Sequence, residues 1–326
     1  MRERVWAVIR QTGYQPHAAA RSLATRRTRV IGLIIPQAVT TLFTDPYFPI
    51  LMRGVADACN AHNYHLMLSL FSHRRVWNSR ARQDLLYQQV LRSRYLDGVV
   101  VTSAPLDDPI FHRLLEDNLP FVIIGRYPHE RANYVDVDNL VGARMAVEHL
   151  LRLGHERIAT ITGPLNMCAG QDRLEGYRQA LAARGIPVDE RLIAEGDFTE
   201  QGGRTAMQRL LPHRPTAVFA ASDMMAVGAI KTLREAGLRV PEDVAVVGFD
   251  DIPLASMVEP ALTTVRQPIE QLGSVAVELL IGLLENPQKG DVHRVVLPTE
   301  LVIRASCGVH RPDKPGHPIY EERREV

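Results

Sequence analysis

The chain has 326 residues and a mass of 36.5 kDa, about twice the usual domain of ~150 residues, so two domains are expected. With 46% hydrophobic and 23% charged residues it is globular, which excludes a disordered chain, a collagen or a disulfide-stapled miniprotein. The net charge of +1 hides an asymmetry: residues 1–29 hold seven arginines against Glu3, a net +6, and the remainder, 31 basic and 36 acidic, carries −5. A basic arm on a mildly acidic body points to a polyanion partner for the arm alone.

In the arm, Val5, Val8 and Ile9 fall at i, i+3, i+4, one stripe of a short helix that stops at Gly13. Pro16 opens a second helical stretch, Ala18 to Ala24, whose one large apolar residue is Leu23, flanked by Arg21, Arg26, Arg27 and Arg29. A lone leucine among arginines reads either as a wedge between base steps of the minor groove, with the arginines on phosphates, or as packing on the body.

From residue 30 onward, short apolar runs alternate with helical patterns: Val30 to Ile35, His65 to Leu70, Gly98 to Val101, Phe121 to Ile124, then Arg157 to Ile161, Ala217 to Ala220 and Val244 to Val247, with a long helix from Asn139 to Leu153 between the two sets. Runs this short and solidly apolar are buried parallel strands of βα units. The second half repeats the first in outline, and the pattern predicts two similar α/β lobes with a cleft between them, where ligands meet the carboxyl ends of strands. His310 to Val326 has almost no apolar content and reads as a disordered tail.

Enzyme signatures are few. The sequence has no GxGxxG, GxxxxGK[ST], GxSxG or HExxH. Cys59, Cys168 and Cys307 form no CxxC pair, which argues against a disulfide framework or a zinc site, so no metal or cofactor is expected. No apolar run approaches the ~20 residues of a membrane span, and no secretion signal is present, so a cytoplasmic chain is expected. Adjacent Asp250 and Asp251 at a strand end would point opposite ways, one into the cleft and one capping a turn. Arg173, at a helix start after the Gly163-Pro164 turn, reads either as a structural salt bridge or as a fork onto a ligand's hydroxyls or carboxylate. Phe48, Phe71 and Phe198 are either core residues or rings that stack on a sugar face.

The blocks "RERVWAVIRQTGYQPHAAARSLATRRTRVIGLIIP" (Arg2 to Pro36), "DPYF" (Asp45 to Phe48), "DGVVV" (Asp97 to Val101), "VEHLLRLGHERIATITGP" (Val147 to Pro164), "DRLEGY", "GDF" (Gly196 to Phe198), "ASDMMAVGAI" (Ala221 to Ile230), "VPEDVAVVGFDD" (Val240 to Asp251) and "PALTTVRQP" (Pro260 to Pro268) stand in an order that resembles the LacI/GalR family of bacterial transcription regulators. The resemblance implies a core similar to type I periplasmic binding proteins: lobe 1 at about 30–138 and 267–296, lobe 2 at about 139–266 and 297–307, after a partial helix-turn-helix head-piece and hinge at 1–29 and before the tail at 309–326.

Residue by residue, the resemblance implies that Arg173 and Asp250 grip a sugar-like effector and Phe198 stacks on it. Tyr47, Phe48, Thr102, Ser222 and Gln267 would line the cleft. Leu23 would be the hinge leucine in the operator's centre, with Arg21, Arg26 and Arg27 on DNA. Relatives often carry asparagine or aspartate at Ser222, aspartate at Gly125, and Pro-Asn where this chain has Pro16-His17. The resemblance implies a helix-turn-helix that begins some thirty residues upstream of the first residue, with the recognition helix before this chain's start, so a chain truncated within its head-piece, with weak operator binding by itself, is expected. The function implied is a homodimeric, non-enzymatic, effector-controlled DNA-binding regulator. The rivals are a sensing or dominant-negative module without its own DNA affinity, and an enzyme using Asp250 and Asp251.

Overall fold

The computed structural model describes residues 27–36, 39–70, 91, 95–117, 119–286 and 291–308, together with position 11. The rest of the arm (Leu23, Arg21 and Arg26 included), Phe71 and the tail from 309 lie outside the described residues. In chain order the elements are β1 (Val30–Ile35), α1 (Val39–Thr44), α2 (Tyr47–Ala61), β2 (His65–Leu70), β3 (Gly98–Thr102), α3 (Pro109–Asp117), β4 (Phe121–Ile124), β5 (Tyr134–Val137), α4 (Asn139–Arg152), β6 (Ile158–Thr162), α5 (Cys168–Ala183), β7 (Ile193–Glu195), α6 (Glu200–Leu210), β8 (Ala217–Ala220), α7 (Asp223–Glu235), β9 (Ala245–Asp250), α8 (Leu254–Met257), β10 (Thr263–Arg266), α9 (Ile269–Glu285), β11 (Arg294–Leu297) and β12 (Glu300–Val302).

The chain divides into two compact units: residues 1–137, 166–168 and 268–298, and residues 138–165, 169–267 and 299–326. The sheet of unit 1 runs β11-β5-β4-β3-β1-β2, every pair parallel. That of unit 2 runs β12-β10-β9-β8-β6-β7, parallel except for β12 against β10. Read from the first strand of each, both have the doubly wound order 2-1-3-4-5 with a sixth strand at the edge, the fold class read from the sequence.

Strand periodicity builds the unit 2 core. Val218, Ala220 and Val246 face one apolar cluster with residues of α6 and α7; Ala217, Phe219, Ala245, Val247 and Phe249 face the opposite cluster with residues of α4 and α5. Helix starts are capped where the sequence offers a short polar side chain: Asp138 accepts from the Val141 N–H, Thr199 from Gly202 and Ser222 from Met225. The last described turn is pinned into the unit by Ser306, whose hydroxyl donates to the Val246 carbonyl at 2.6 Å and accepts from the Thr263 N–H at 2.8 Å. Beside it, buried Cys307 Sγ lies 3.3 Å from His149 Nε2, and burial pushes the His149 pKa down to about 4.

In unit 1, α2 buries Phe48, Leu51, Val55 and Ala58 along one helical stripe, and α9 buries Ile269, Leu272, Ala276 and Leu280 along another. The two helices touch backbone to backbone through glycines. A Cβ at Gly54 would lie 1.9 Å from the Glu270 carbonyl oxygen, and one at Gly273 would lie 2.6 Å from that of Leu51.

Two outcomes are expected. Gly54→Ala should destabilise the chain by about 1–3 kcal/mol, because backbone cannot yield to the methyl, whereas Gly282→Ala in α9, whose Cβ would meet nothing within 4 Å, should stabilise by about 0.5–1 kcal/mol from helix propensity. Denaturant midpoints of the two variants check the opposite signs. The second concerns His149. Its folded pKa lies below its unfolded value, so the unfolded chain binds more protons and stability falls as pH drops from 6.5 to about 4. Relative to His149→Gln, the protein should lose about 3 kcal/mol across that window, read from urea unfolding at several pH values.

Candidate functional site

The order 2-1-3-4-5 reverses direction between β6 and β8 in unit 2, so the carboxyl ends of those strands are where a crevice opens. Arg173, on the second turn of α5, is buried at this end. Its Nε donates to Asn139 Oδ1 at 2.8 Å, and its Nη1 donates to the Ala221 carbonyl at 2.6 Å and lies 3.5 Å from Asp250 Oδ1. The guanidinium carbon sits 3.7 Å from the centroid of the Phe249 ring and 5.8 Å from that of Phe198. Gln267 Nε2 donates to the same Asp250 oxygen at 2.6 Å. The geometry thus shows the structural alternative, a buried cation paired with Asp250 and tied to Asn139 and Ala221 at a strand end.

Phe198 follows β7 with a left-handed φ of 65° and rests on the turn after β6. That turn must be glycine: a Cβ at Gly163 would lie 2.2 Å from the ring. Ser222 is buried, and its oxygen is engaged as the N-cap of α7, leaving the O–H proton to donate. The structure thus brings Arg173, Phe198, Ser222, Asp250 and Gln267 to one end of the unit 2 sheet.

The adjacent aspartates do diverge, but Asp251 does not cap a turn. Its Oδ2 accepts from Arg266 Nε at 2.7 Å and its Oδ1 from Arg304 Nη2 at 2.6 Å, an ion-pair anchor rather than a cap. Both aspartates have left-handed φ, 121° at Asp250 and 56° at Asp251, a costly backbone for residues with a side chain. Asp223, the first residue of α7, is fully buried behind them.

In unit 1, Thr102 is buried at the carboxyl end of β3, its hydroxyl 3.4 Å from that of Ser103. Tyr47 opens α2 with its N–H donating to Asp45 Oδ1 at 3.0 Å and its ring edge-on to Phe48. Phe48 itself is buried. Desolvation pushes the Asp45 pKa up to about 6. Gly125, after β4, has φ 98°, a conformation that favours glycine over a residue with a side chain. Arg27 Nη2 donates to the Leu284 carbonyl near the end of α9 at 2.9 Å, so its guanidinium satisfies a helix terminus.

Sequence reasoning missed Asn139, the Ala221 carbonyl, the Phe249 ring beneath Arg173, and Asp223. Asn139 and Asp223 sit at the first turns of helices behind Asp138 and Ser222, and that position was their one available signal. Among the described residues, no group of three or more His, Cys, Asp or Glu could hold a metal ion, and no helix is long and apolar enough to cross a membrane.

A profile of the periplasmic binding protein-like domain matches residues 147–307. The chain is 41% identical over 313 residues to the HTH-type transcriptional regulator CelR of Thermobifida fusca, covering 94% of this chain and 89% of that protein. It is 36% identical to the ribose operon repressor of Halalkalibacterium halodurans, covering 93% and 86%. Among solved structures, a CelR–cellobiose complex is similar with a TM-score of 0.80 and 39% identity over 94% of this chain and 90% of that one. A LacI family regulator of Enterococcus faecium with bound ribose matches with a TM-score of 0.73 and 31% identity over 85% and 98%. With relatives this similar over nearly the whole chain, built on the same two sheets, the protein belongs to the LacI family of transcription regulators.

Proposed function

We propose that the effector of this regulator is a sugar, gripped in unit 2 by Arg173 and Asp250 and covered by Phe198, with Ser222 and Gln267 beside it. The observation that carries the reading is the buried Arg173–Asp250 pair at the strand ends. A guanidinium next to a carboxylate offers donors and an acceptor side by side, which is what neighbouring hydroxyls of a sugar ring require. Phe198 adds an apolar face of the kind that packs on a sugar ring's C–H groups. That CelR was solved with cellobiose and an Enterococcus relative with ribose supports the sugar class. Tyr47, Phe48 and Thr102 of unit 1 are the further effector residues that the family resemblance implies.

A ligand shifts operator affinity only by the difference in its affinity for two arrangements of the chain, so the effector controls transcription as a population shift. In this reading the regulator works in the cytoplasm as a homodimer on a two-fold operator and catalyses nothing. Leu23, Arg21 and Arg26 of the arm, with Arg27 at its end, are assigned to DNA.

Thermal unfolding against cellobiose, ribose, other sugars, sugar phosphates and nucleobases tests the effector. A sugar at ~100 times its Kd should add about 2.7 kcal/mol, and Arg173→Lys, which keeps the charge and loses the fork, should weaken it at least about tenfold. A saturable response to nucleobases alone would overturn the sugar class. Complete removal, Arg173→Ala, is the poorer probe, since it strands a buried carboxylate at a cost of about 3–5 kcal/mol. For the arm, log K for operator DNA should fall linearly with log salt, and Arg21→Ala and Arg26→Ala should each reduce the slope by about 0.9. Slopes unchanged in both would remove these arginines from the phosphates.

A further inference from the structure

Asp223 takes no part in the grip on the effector, yet it is wholly buried at the first turn of α7, behind the segment that presents Asp250. Its Oδ2 accepts from the Ile252 N–H at 2.9 Å, and its Oδ1 accepts from the Thr264 hydroxyl, itself fully buried on β10, at 2.5 Å. The site is shaped around it: a Cβ at Gly248 of β9 would come within 2.4 Å of Oδ1. Between these ties stand Asp250 and Asp251, two consecutive residues in left-handed backbone. Such a pair persists only where its surroundings over-determine it. Asp251 is held from one side by Arg266 and Arg304. The Ile252 amide is held from the other by Asp223.

We propose that Asp223 is a positioning residue of the effector site: by clamping the Ile252 amide and the Thr264 hydroxyl, it sets the strained turn that aims the Asp250 carboxylate at Arg173. The inference rests on the effector reading given above for Asp250. Burial, and then the neighbouring Asp250, holds the Asp223 carboxyl well above the usual carboxylate range. The charged groups around it are Asp250 and Asp251 from the end of β9, with Arg173 of α5 on Asp250, and Arg266 of β10 and Arg304 on Asp251. In the neutral acid the proton on Oδ1 donates to the Thr264 oxygen, the reverse of the bond a carboxylate accepts there, and a carboxamide copies that form: its oxygen accepts from the Ile252 N–H while its NH₂ donates to the Thr264 oxygen.

The test compares Asp223→Asn, Asp223→Ala and Thr264→Val by hydrogen exchange of residues 250–252 in the ligand-free chain and by titration with cellobiose. Asp223→Asn should keep the slow exchange of the Ile252 amide and the affinity of the unsubstituted chain. Asp223→Ala should exchange there at least about tenfold faster and bind at least about tenfold more weakly, while Phe219 and Val247 in neighbouring strands stay protected. Should Asp223→Ala fail to fold, Thr264→Val, which removes one of the two ties and preserves shape, decides the matter with a smaller change of the same sign. Unchanged exchange and affinity in the folded Asp223→Ala and Thr264→Val variants would overturn the proposal. If the unsubstituted chain ignores cellobiose and every other sugar, the effector reading fails, and the exchange measurement alone still decides whether Asp223 sets the turn.

Discussion

A guanidinium and a carboxylate buried together lose several kcal/mol each in hydration, and only close geometry with further hydrogen bonds offsets that. Unit 2 is organised around satisfying this demand at Arg173 and Asp250. Each group around the pair answers one part of it. Asn139 and the Ala221 carbonyl accept from the guanidinium, Phe249 lies under its face, and Gln267 donates to the carboxylate. Those partners come from α4, the end of β8, β9 and the end of β10, so the pair is met only when the whole parallel sheet is in register. Removing one member leaves the others buried without a counterpart, which makes the site a cooperative part of the fold.

The repeated strand order explains why the pair sits where it does. In a parallel sheet every crossover helix returns the chain to the amino end, so the carboxyl ends hold the turns, free to carry polar groups. Left-handed backbone follows β3, β4 and β7 at Ser103, Gly125 and Phe198 and stands at the end of β9 at Asp250 and Asp251, though it also precedes strands, at Arg29, Asn63 and Arg214. The sheets differ at one edge. β11 follows α9 and joins its sheet parallel, whereas β12 follows β11 after two residues and enters the other sheet antiparallel, which needs no crossover helix.

The strands legible in the sequence were the solidly apolar ones. VIGLII, FVII and AVFA have the bounds their composition predicts, because a strand covered on both faces must be apolar at every position, whereas HLMLSL, also with the expected bounds, is an edge strand with His65 and Leu68 exposed. The run from Val244 extended instead to Asp250, since the strand continues into the polar residue that the site uses. The strands YVDV, IAE, TTVR and RVVL went unread. In TTVR the reason is plain: Thr263 and Thr264 are fully buried because Ser306, Arg304 and Asp223, 40 or more residues away, satisfy them. The site divides the same way. Arg173, Asp250 and Gln267 stood in quotable motifs, but Asn139 and Asp223 act through partners 34 and 29 or more residues distant, which no local pattern records.

Asp250 and Asp251 show how rigidity and response are reconciled. Neighbouring residues with the same carboxylate do opposite work, one presented to Arg173 and Gln267, the other tied to Arg266 and Arg304. Both backbones are strained, and the strain is balanced by contacts formed on folding, before any ligand arrives. If Arg173 and Asp250 hold the effector as proposed, groups already in place on folding leave little ordering to do, so the free energy of ligand contact is not consumed in assembling them. For a regulator this matters because only the difference in affinity between two arrangements of the chain reaches the DNA. Groups that softened and reformed around a ligand would lose part of that difference to their own ordering. Under the proposed reading, the turn that carries Asp250 keeps that difference available.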